Sequence, residues 1–286
     1  MEIIRDPYQF QAHCAALDGS LALGFVPTMG ALHAGHISLV RASRRVDEVT
    51  AVSIFVNPTQ FGPNEDFDRY PRQLETDCGV LEKEGVQVVF APSAEDMYAK
   101  GDTTRVEVEG LGERLCGASR PGHFRGVATI VFKLFQLGAP TRAYFGQKDA
   151  AQVAVIRRMI QDLFLPVELV VCPIVRERDG LALSSRNAYL SPEERYSARV
   201  ISRSLRIMGE HFDDGERSAA ALLLKGTEII ESEPGLKLDY LTVVDGDTLQ
   251  PLSTVGPGSL IAIAAFAGAT RLIDNARVDH DGVYLL

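Results

Sequence analysis

The sequence predicts an α/β protein in two parts: a parallel sheet wrapped by helices, then a smaller α+β part with an antiparallel sheet. Two observations predict this. Up to Val175, short apolar runs alternate with amphipathic stretches, which is the pattern of strand–helix–strand units. Beyond it, two long helical patterns are followed by three β-type runs joined by turns, as antiparallel strands are. The expected domains are therefore residues 1–175 and 176–286.

Each element has a local signal. Residues 21–26 form an apolar strand-like run, and 35–46 the amphipathic helix after it. Residues 49–56 make the next strand, ending at Asn57-Pro58. A helix is expected over 67–84 and a strand over 86–91. Residues 126–136 suit a helix or a strand by pattern, since Val127, Ile130, Val131, Leu134 and Phe135 line one helical face. A short strand at 143–145, a helix at 150–164 and a strand at 167–172 complete the first part. In the second part Ser191-Pro192-Glu193-Glu194 is a capping box with proline at the first helical position, opening a helix to Phe212. A helix over 218–232 follows. Strands at 240–244, 260–266 and 270–276 are separated by Asp245-Gly246-Asp247 and Gly268-Ala269. No internal repeat or low-complexity tract is visible.

Composition narrows the function classes. With 286 residues, 46% hydrophobic and 23% charged, the chain is an ordinary globular one, able to bury a core without disulfides or a structural metal. A net charge of −9 argues against a nucleic-acid partner held by a general basic surface. It leaves ATP open, because a few local groups handle its phosphates. Cys14, Cys78, Cys116 and Cys172 form no C-x-x-C pair and are expected to be reduced. The first residues lack a basic segment followed by an apolar run, and the apolar stretch 260–267 is too short to span a bilayer. A cytoplasmic protein without membrane or nucleic-acid partners is expected.

The strongest chemical signal is Pro27-Thr28-Met29-Gly30-Ala31-Leu32-His33-Ala34-Gly35-His36, between an expected strand and an expected helix. That junction is where open α/β sheets bind ligands. Gly30 and Gly35 allow tight turns and close backbone approach, and free amides at the helix start would face an anion. His33 and His36, three apart on a first turn, can point at one ligand as neutral donors. Helix capping is a second reading of the pair and a zinc site a third, though no further ligand is evident for a metal.

Two other segments fit phosphate handling. In Tyr144-Phe145-Gly146-Gln147-Lys148-Asp149, Lys148 offers a point charge and Asp149 an acceptor for ribose hydroxyls. Leu183-Ser184-Ser185-Arg186-Asn187 sets two hydroxyls and a guanidinium on a loop, a phosphate clamp. Either segment alone would equally suit a solvated surface. Gln60, within Phe55-Val56-Asn57-Pro58-Thr59-Gln60-Phe61, and Gln152, one turn after Asp149, suit a small hydroxylated ligand with an apolar body. Surface amides are the alternative for both.

These residues resemble the pantothenate synthetases, a family of the nucleotidylyltransferase superfamily that shares its His-x-x-His turn with class I aminoacyl-tRNA synthetases. The matching segments, in order, are PTMGALHAGH, FVNPTQFGPNEDFDRYPR, RPGHFRGVATIV, YFGQKD and VRERDGLALSSRNAYLS, and they run through nearly the whole chain. The resemblance implies a Rossmann-like N-terminal domain, a smaller C-terminal lid domain and a homodimer. It implies condensation of pantoate with β-alanine, using ATP and Mg²⁺ and releasing AMP and pyrophosphate through a pantoyl-adenylate. Carried onto this chain, Met29, Gly30, Ala31, Leu32, His33, Ala34, Gly35 and His36 contact ATP, with His36 as general acid. Gly146, Gln147, Lys148 and Asp149 hold ribose and phosphate, and backbone at Val175 and Leu183 meets adenine. Ser184, Ser185 and Arg186 close on the phosphates. Gln60 and Gln152 bind pantoate, and Gln60 also serves β-alanine. Asp77 stands at a metal-ligand position of the family, a solvated helix face being its other reading.

Two departures stand out. Ala150-Ala151-Gln152 replaces the family's aromatic followed by Gln-Gln, keeping only the second glutamine. Leu183 replaces a common methionine at similar volume. Two rival functions also fit an ATP site: an adenylyltransferase that leaves AMP on its product, and an ATP-sensing module without turnover. Gln60 and Gln152 speak against the first, and the complete set of phosphate-handling residues against the second.

Overall fold

The computed structural model describes residues 1–63, 65–280 and 282–284. Asn64 of the FVNPTQFGPNEDFDRYPR segment, and Asp281, Leu285 and Leu286, lie outside the described residues. The chain divides into two compact units, Met1–Gly146 with Val155–Cys172, and Gln147–Ala154 with Pro173–Leu286.

The first unit is built on a parallel sheet of six strands. These are β1 (Glu2–Ile4), β2 (Leu23–Thr28), β3 (Val49–Ile54), β4 (Val88–Phe90), β5 (Arg142–Gly146) and β6 (Glu168–Cys172), in the spatial order β1-β4-β3-β2-β5-β6. Helices α1 (Pro7–Ala15), α2 (Ala34–Val46), α3 (Leu74–Lys83) and α6 (His123–Gly138) connect them, with single turns α4 (Ala94–Met97) and α5 (Cys116–Ser119); α7 (Ala150–Asp162) follows β5. Every residue of β2 except Pro27, and of β3 except Ile54, is buried, as expected of parallel strands covered on both faces. Val26, Val52, Val89 and Tyr144 pack with Val40 of α2 and Leu81 of α3. At alternate positions Phe90 stacks on Phe10 of α1, ring centroids 4.4 Å apart. The chain steps from β2 outward through β3 and β4, then returns to lay β5 and β6 on the other side of β2. The C-terminal end of β2 is therefore the topological switch point.

Several local expectations needed correction. The helix expected from residue 67 begins at Leu74, because Pro71 lacks an amide hydrogen and drives Tyr70 out of the helical region. The ambiguous segment at 126–136 is helical, inside α6, whose Val127, Ile130, Val131, Leu134 and Phe135 are buried. Strand β1 and helix α1 were not anticipated. At three residues the strand is too short to show a period.

In the second unit α8 (Pro192–Asp213) and α9 (Ala219–Glu231) pack on an antiparallel sheet of order β10-β9-β8-β7. The strands are β7 (Leu236–Asp245), β8 (Ser259–Ala267), β9 (Thr270–Val278) and β10 (Val283–Tyr284). The capping box holds: Glu194 N–H donates to Ser191 Oγ at 3.2 Å, and Ser191 N–H to Glu194 Oε2 at 2.9 Å. Ile201, Leu205 and Met208 of α8, Leu222 and Ile230 of α9, and Ile261 and Ile263 of β8 form its core. Gly268-Ala269 makes the tight turn between β8 and β9, whereas β7 and β8 are joined by a longer loop. Strand β10, two residues long, was not expected.

Candidate active site

The turn after β2 is held by its own hydrogen bonds and by a carboxylate from α3. Thr28 Oγ1 accepts from Gly30 N–H at 3.1 Å. Gly30 and Ala31 are both left-handed, φ 79° and 51°, a conformation that costs about 1–2 kcal/mol at the alanine. The next two amides, of Ala31 and Leu32, donate to Asp77 Oδ2 and Oδ1, each at 2.9 Å. His33 is the N-cap of α2: its Nδ1 accepts from Gly35 N–H at 3.1 Å, while His36 Nδ1 accepts from His33 N–H at 3.3 Å. The expected free amides at the helix start are thus given to protein groups rather than left open. Capping, one of the readings made from sequence, uses Nδ1 of both rings. A neutral imidazole that accepts at Nδ1 carries its proton on Nε2, so Nε2–H is the donor of both rings. The rings lie 4.1 Å apart, tilted by 33°.

Asp77 departs from the solvated-face reading of it. It is 1% exposed, so it is not on a solvated helix face. Its oxygens face two backbone donors and Gln73 Nε2 at 3.2 Å. Among the described residues no group of three or more His, Cys, Asp or Glu is placed to hold a metal ion.

After β3, Asn57 organises the loop that carries Gln60. Asn57 is 1% exposed. Its Nδ2 donates to Gln60 Oε1 at 3.0 Å and to Gly126 O at 3.1 Å, and its Oδ1 accepts from Thr59 and from Tyr98 Oη–H. Gln60 Nε2 reaches Met29 Sδ at 3.2 Å, tying this loop to the turn after β2. The Gln60 carbonyl is gripped at the junction of α5 and α6: His123 Nδ1 lies 2.8 Å from it and Arg120 Nη2 at 3.3 Å. Arg120 Nη1 faces His123 Nε2 at 3.0 Å. Arginine only donates, so Nε2 accepts and Nδ1–H donates to Gln60. Glu65 pairs with Arg120 through both oxygens, Nε to Oε1 at 2.7 Å.

In the second unit the Gln147–Asp149 turn is held by Asn275 of β9. Asn275 Nδ2 donates to the carbonyls of Gln147 and Lys148, each at 3.0 Å, and its Oδ1 accepts from Gln147 Nε2 at 3.0 Å. Lys148 Nζ lies 3.6 Å from Asp149 Oδ1. Gln152 is half-buried on the first turn of α7, between the buried Ala151 and Val153. The neighbouring Asp274 binds Arg176 through both oxygens, at 2.6 and 2.9 Å. Leu183 N–H donates to Val175 O at 2.9 Å, and Arg176 pairs with Ala182. Together these close a hairpin that leads into Ser184, Ser185 and Arg186. Ser184 Oγ accepts from Arg186 N–H at 3.3 Å. Glu177 ties the hairpin to α8 through Arg195, at 2.7 Å.

A model of the pantoate-beta-alanine ligase family matches residues 2–277. The chain belongs to that family. It is 60% identical over 257 residues to a pantothenate synthetase of Acidobacterium capsulatum, covering 90% of this chain and 86% of that one. A pantothenate synthetase of Koribacter versatilis is 54% identical over 277 residues, 96% of this chain and 95% of its own. The pantothenate synthetase crystal structure from Thermus thermophilus superposes with a TM-score of 0.93 at 49% identity, covering 98% of this chain and all of that one. The pantoate-beta-alanine ligase of Francisella tularensis, solved with beta-gamma ATP and beta-alanine, has a TM-score of 0.79 at 38% identity and covers 96% and 97% of the two chains.

Within a pantoate–β-alanine ligase, several residues on these turns were not assigned roles from sequence: Asn57, Arg120, His123 and Asn275. Arg120 and His123 sit in the RPGHFRGVATIV segment that carried part of the resemblance. Asn57 likewise sits in the FVNPTQFGPNEDFDRYPR segment, whereas Asn275 gave no signal, because a buried asparagine in a strand looks like any polar residue in one sequence. Ala150 and Ala151, where the family's aromatic and first glutamine are absent, are both buried and lie in the packing of α7.

Proposed function

We propose that this chain joins pantoate to β-alanine with ATP, releasing AMP and pyrophosphate through a pantoyl-adenylate. The observation that carries it is the pair of imidazoles heading α2 at the switch point, each accepting at Nδ1 and so carrying its proton on Nε2. Such donors suit the negative charge that grows on phosphate oxygens when pantoate's carboxylate attacks the α-phosphorus and pyrophosphate departs. Family membership and the ATP and β-alanine held by the Francisella relative support the substrates.

In this reading His33 and His36 donate to the phosphates, His36 acting as general acid, and Lys148, Ser184, Ser185 and Arg186 add donors and charge. Met29, Gly30, Ala31, Leu32, Ala34 and Gly35 contact ATP by close approach, since most of their amides are committed within the protein. Gly146, Gln147 and Asp149 serve ribose and phosphate, and Val175 and Leu183 adenine. Gln60 and Gln152 hold pantoate, Gln60 also β-alanine. The amine of β-alanine then attacks the acyl carbon and AMP leaves, a step in which positioning does most. Mg²⁺ belongs with ATP as substrate, because this ion keeps its waters and binds chiefly through phosphates. The proposal includes residues 1–175 as the ATP- and pantoate-binding domain, 176–286 as the lid domain, and a cytoplasmic homodimer, which light scattering would check. No helix among the described residues is long and apolar enough to cross a membrane.

The test is exchange of labelled pyrophosphate into ATP. Exchange should require pantoate and not β-alanine, and adding β-alanine should yield AMP and pyrophosphate by phosphorus NMR. ADP and phosphate as products would replace this reading with acyl-phosphate chemistry.

A further inference from the structure

Asp77 places a buried carboxylate under two successive amides, those of Ala31 and Leu32, each at 2.9 Å. Successive N–H groups in a left-handed turn make a concave anion site. Here the anion is the protein's own. A cation at the same oxygens would have to share them with two inward-pointing amide protons and the Gln73 amide. The fit is close from the other side too: a Cβ on Gly30 would stand 3.0 Å from Asp77 Oδ2 and 3.1 Å from Ile54 Cγ2.

We propose that Asp77 is a positioning residue for adenylate formation. By neutralising the turn's amides it holds Gly30 and Ala31 left-handed. That places Met29 Sδ against Gln60 Nε2, 3.2 Å away, and fixes the entry to α2, where His33 and His36 cap one another. The carboxylate acts through the turn and touches neither substrate. This rests on the adenylate-forming reading given above.

The test is Asp77→Asn in the full chain, with Gly30→Ala as a second variant. The asparagine keeps one acceptor but turns an N–H₂ toward a backbone N–H, so one of the two clamps is lost. Pyrophosphate exchange should slow by about ten- to a hundredfold, the scale on which small displacements cost rate. The Mg²⁺ concentration giving half-maximal exchange should not move. In ¹⁵N spectra the rings of His33 and His36 should lose the Nε2–H tautomer signature. Gly30→Ala, which strains the same turn and leaves the carboxylate intact, should reproduce the pattern. A severalfold rise in the Mg²⁺ requirement in Asp77→Asn alone would make it a metal ligand and overturn the proposal. Unchanged exchange with unchanged imidazole spectra would overturn it as well. Should Asp77→Asn fail to fold, Asp77→Glu, which keeps the charge and shifts it by one methylene under the Ala31 and Leu32 amides, decides by the same readouts. Absence of exchange in the wild type would sink the adenylate reading itself, while the imidazole spectra would still decide the role of Asp77.

Discussion

The residue that decides how Gln60 is presented is a glycine. A Cβ on Gly126 would lie 2.3 Å from Thr59 O and 2.7 Å from Gln60 N, closer than atoms approach, while the Gly126 carbonyl accepts from Asn57. Gly126→Ala must push the 59–60 loop away from α6, and overpacking of this kind typically costs about 1–3 kcal/mol. We expect the KM for pantoate to rise by roughly ten- to a hundredfold, with ATP binding by calorimetry little changed. Gln60→Leu should act in the same direction, since removing one partner of a buried polar group costs about 1–3 kcal/mol. Normal pantoate kinetics in both variants would return Gln60 to an ordinary surface amide. The histidine pair was legible as the head of a helix because its spacing and its place after a strand are local facts. The fate of the turn's amides was not, since Asp77 lies far along the chain and only the tertiary fold brings it under them.

At the scale of elements, the clamp on Gln60 rests on an ion pair between the 61–73 loop and the end of α5, just before α6. Burial pushes the Glu65 carboxyl up, but the Arg120 guanidinium and the Gly62 amide outweigh it and hold it below its ordinary value. A depressed folded-state value means the pair stabilises fully above the unfolded glutamate's pKa, about 4.3, and loses that contribution as pH falls through the lower folded value. Wild type and Glu65→Gln should therefore differ in melting temperature at pH 7, and the gap should close in acid as pH falls through the lowered folded value. A gap that persists there would show the pair to be unimportant. A second element, β9, carries Asp274 and Asn275, buried side by side, which anchor Arg176 and the Gln147–Lys148 turn. Asn275→Ala should slow pyrophosphate exchange in the manner of Lys148→Ala and lower stability by about 1–3 kcal/mol. Periodicity exposed the long amphipathic helices and buried strands, and the capping box fixed the start of α8. It could not show which polar residues of a strand face inward, because Asp274-Asn275 interrupts the apolar pattern just as a solvated pair would. The early start expected for α3 shows the converse: Pro71 overruled a helical composition.

At the scale of the whole molecule, the proposed chemistry draws on residues far apart in the chain, His36 and Lys148 among them. Each unit has its own apolar core, so a substitution at Lys148, which lies outside those cores, should leave melting temperature nearly unchanged, whereas His36→Ala also removes the acceptor of the His33 amide and should cost about 0.5–2 kcal/mol of stability. Loss of one preorganised donor to a transition state costs about 10²–10³ in turnover. His36→Ala and Lys148→Ala should each slow adenylate formation by that order in single-turnover assays. Attack of β-alanine on supplied pantoyl-adenylate should suffer much less, because no pyrophosphate leaves in that step. If both groups stabilise the same departing charge, they act as a unit. The double variant should then be only modestly slower than the worse single one, as groups serving one transition state are far from additive. Multiplied effects would mean that the two serve separate steps. Equal damage to both half-reactions would mean that structure, and not charge stabilisation, had been lost.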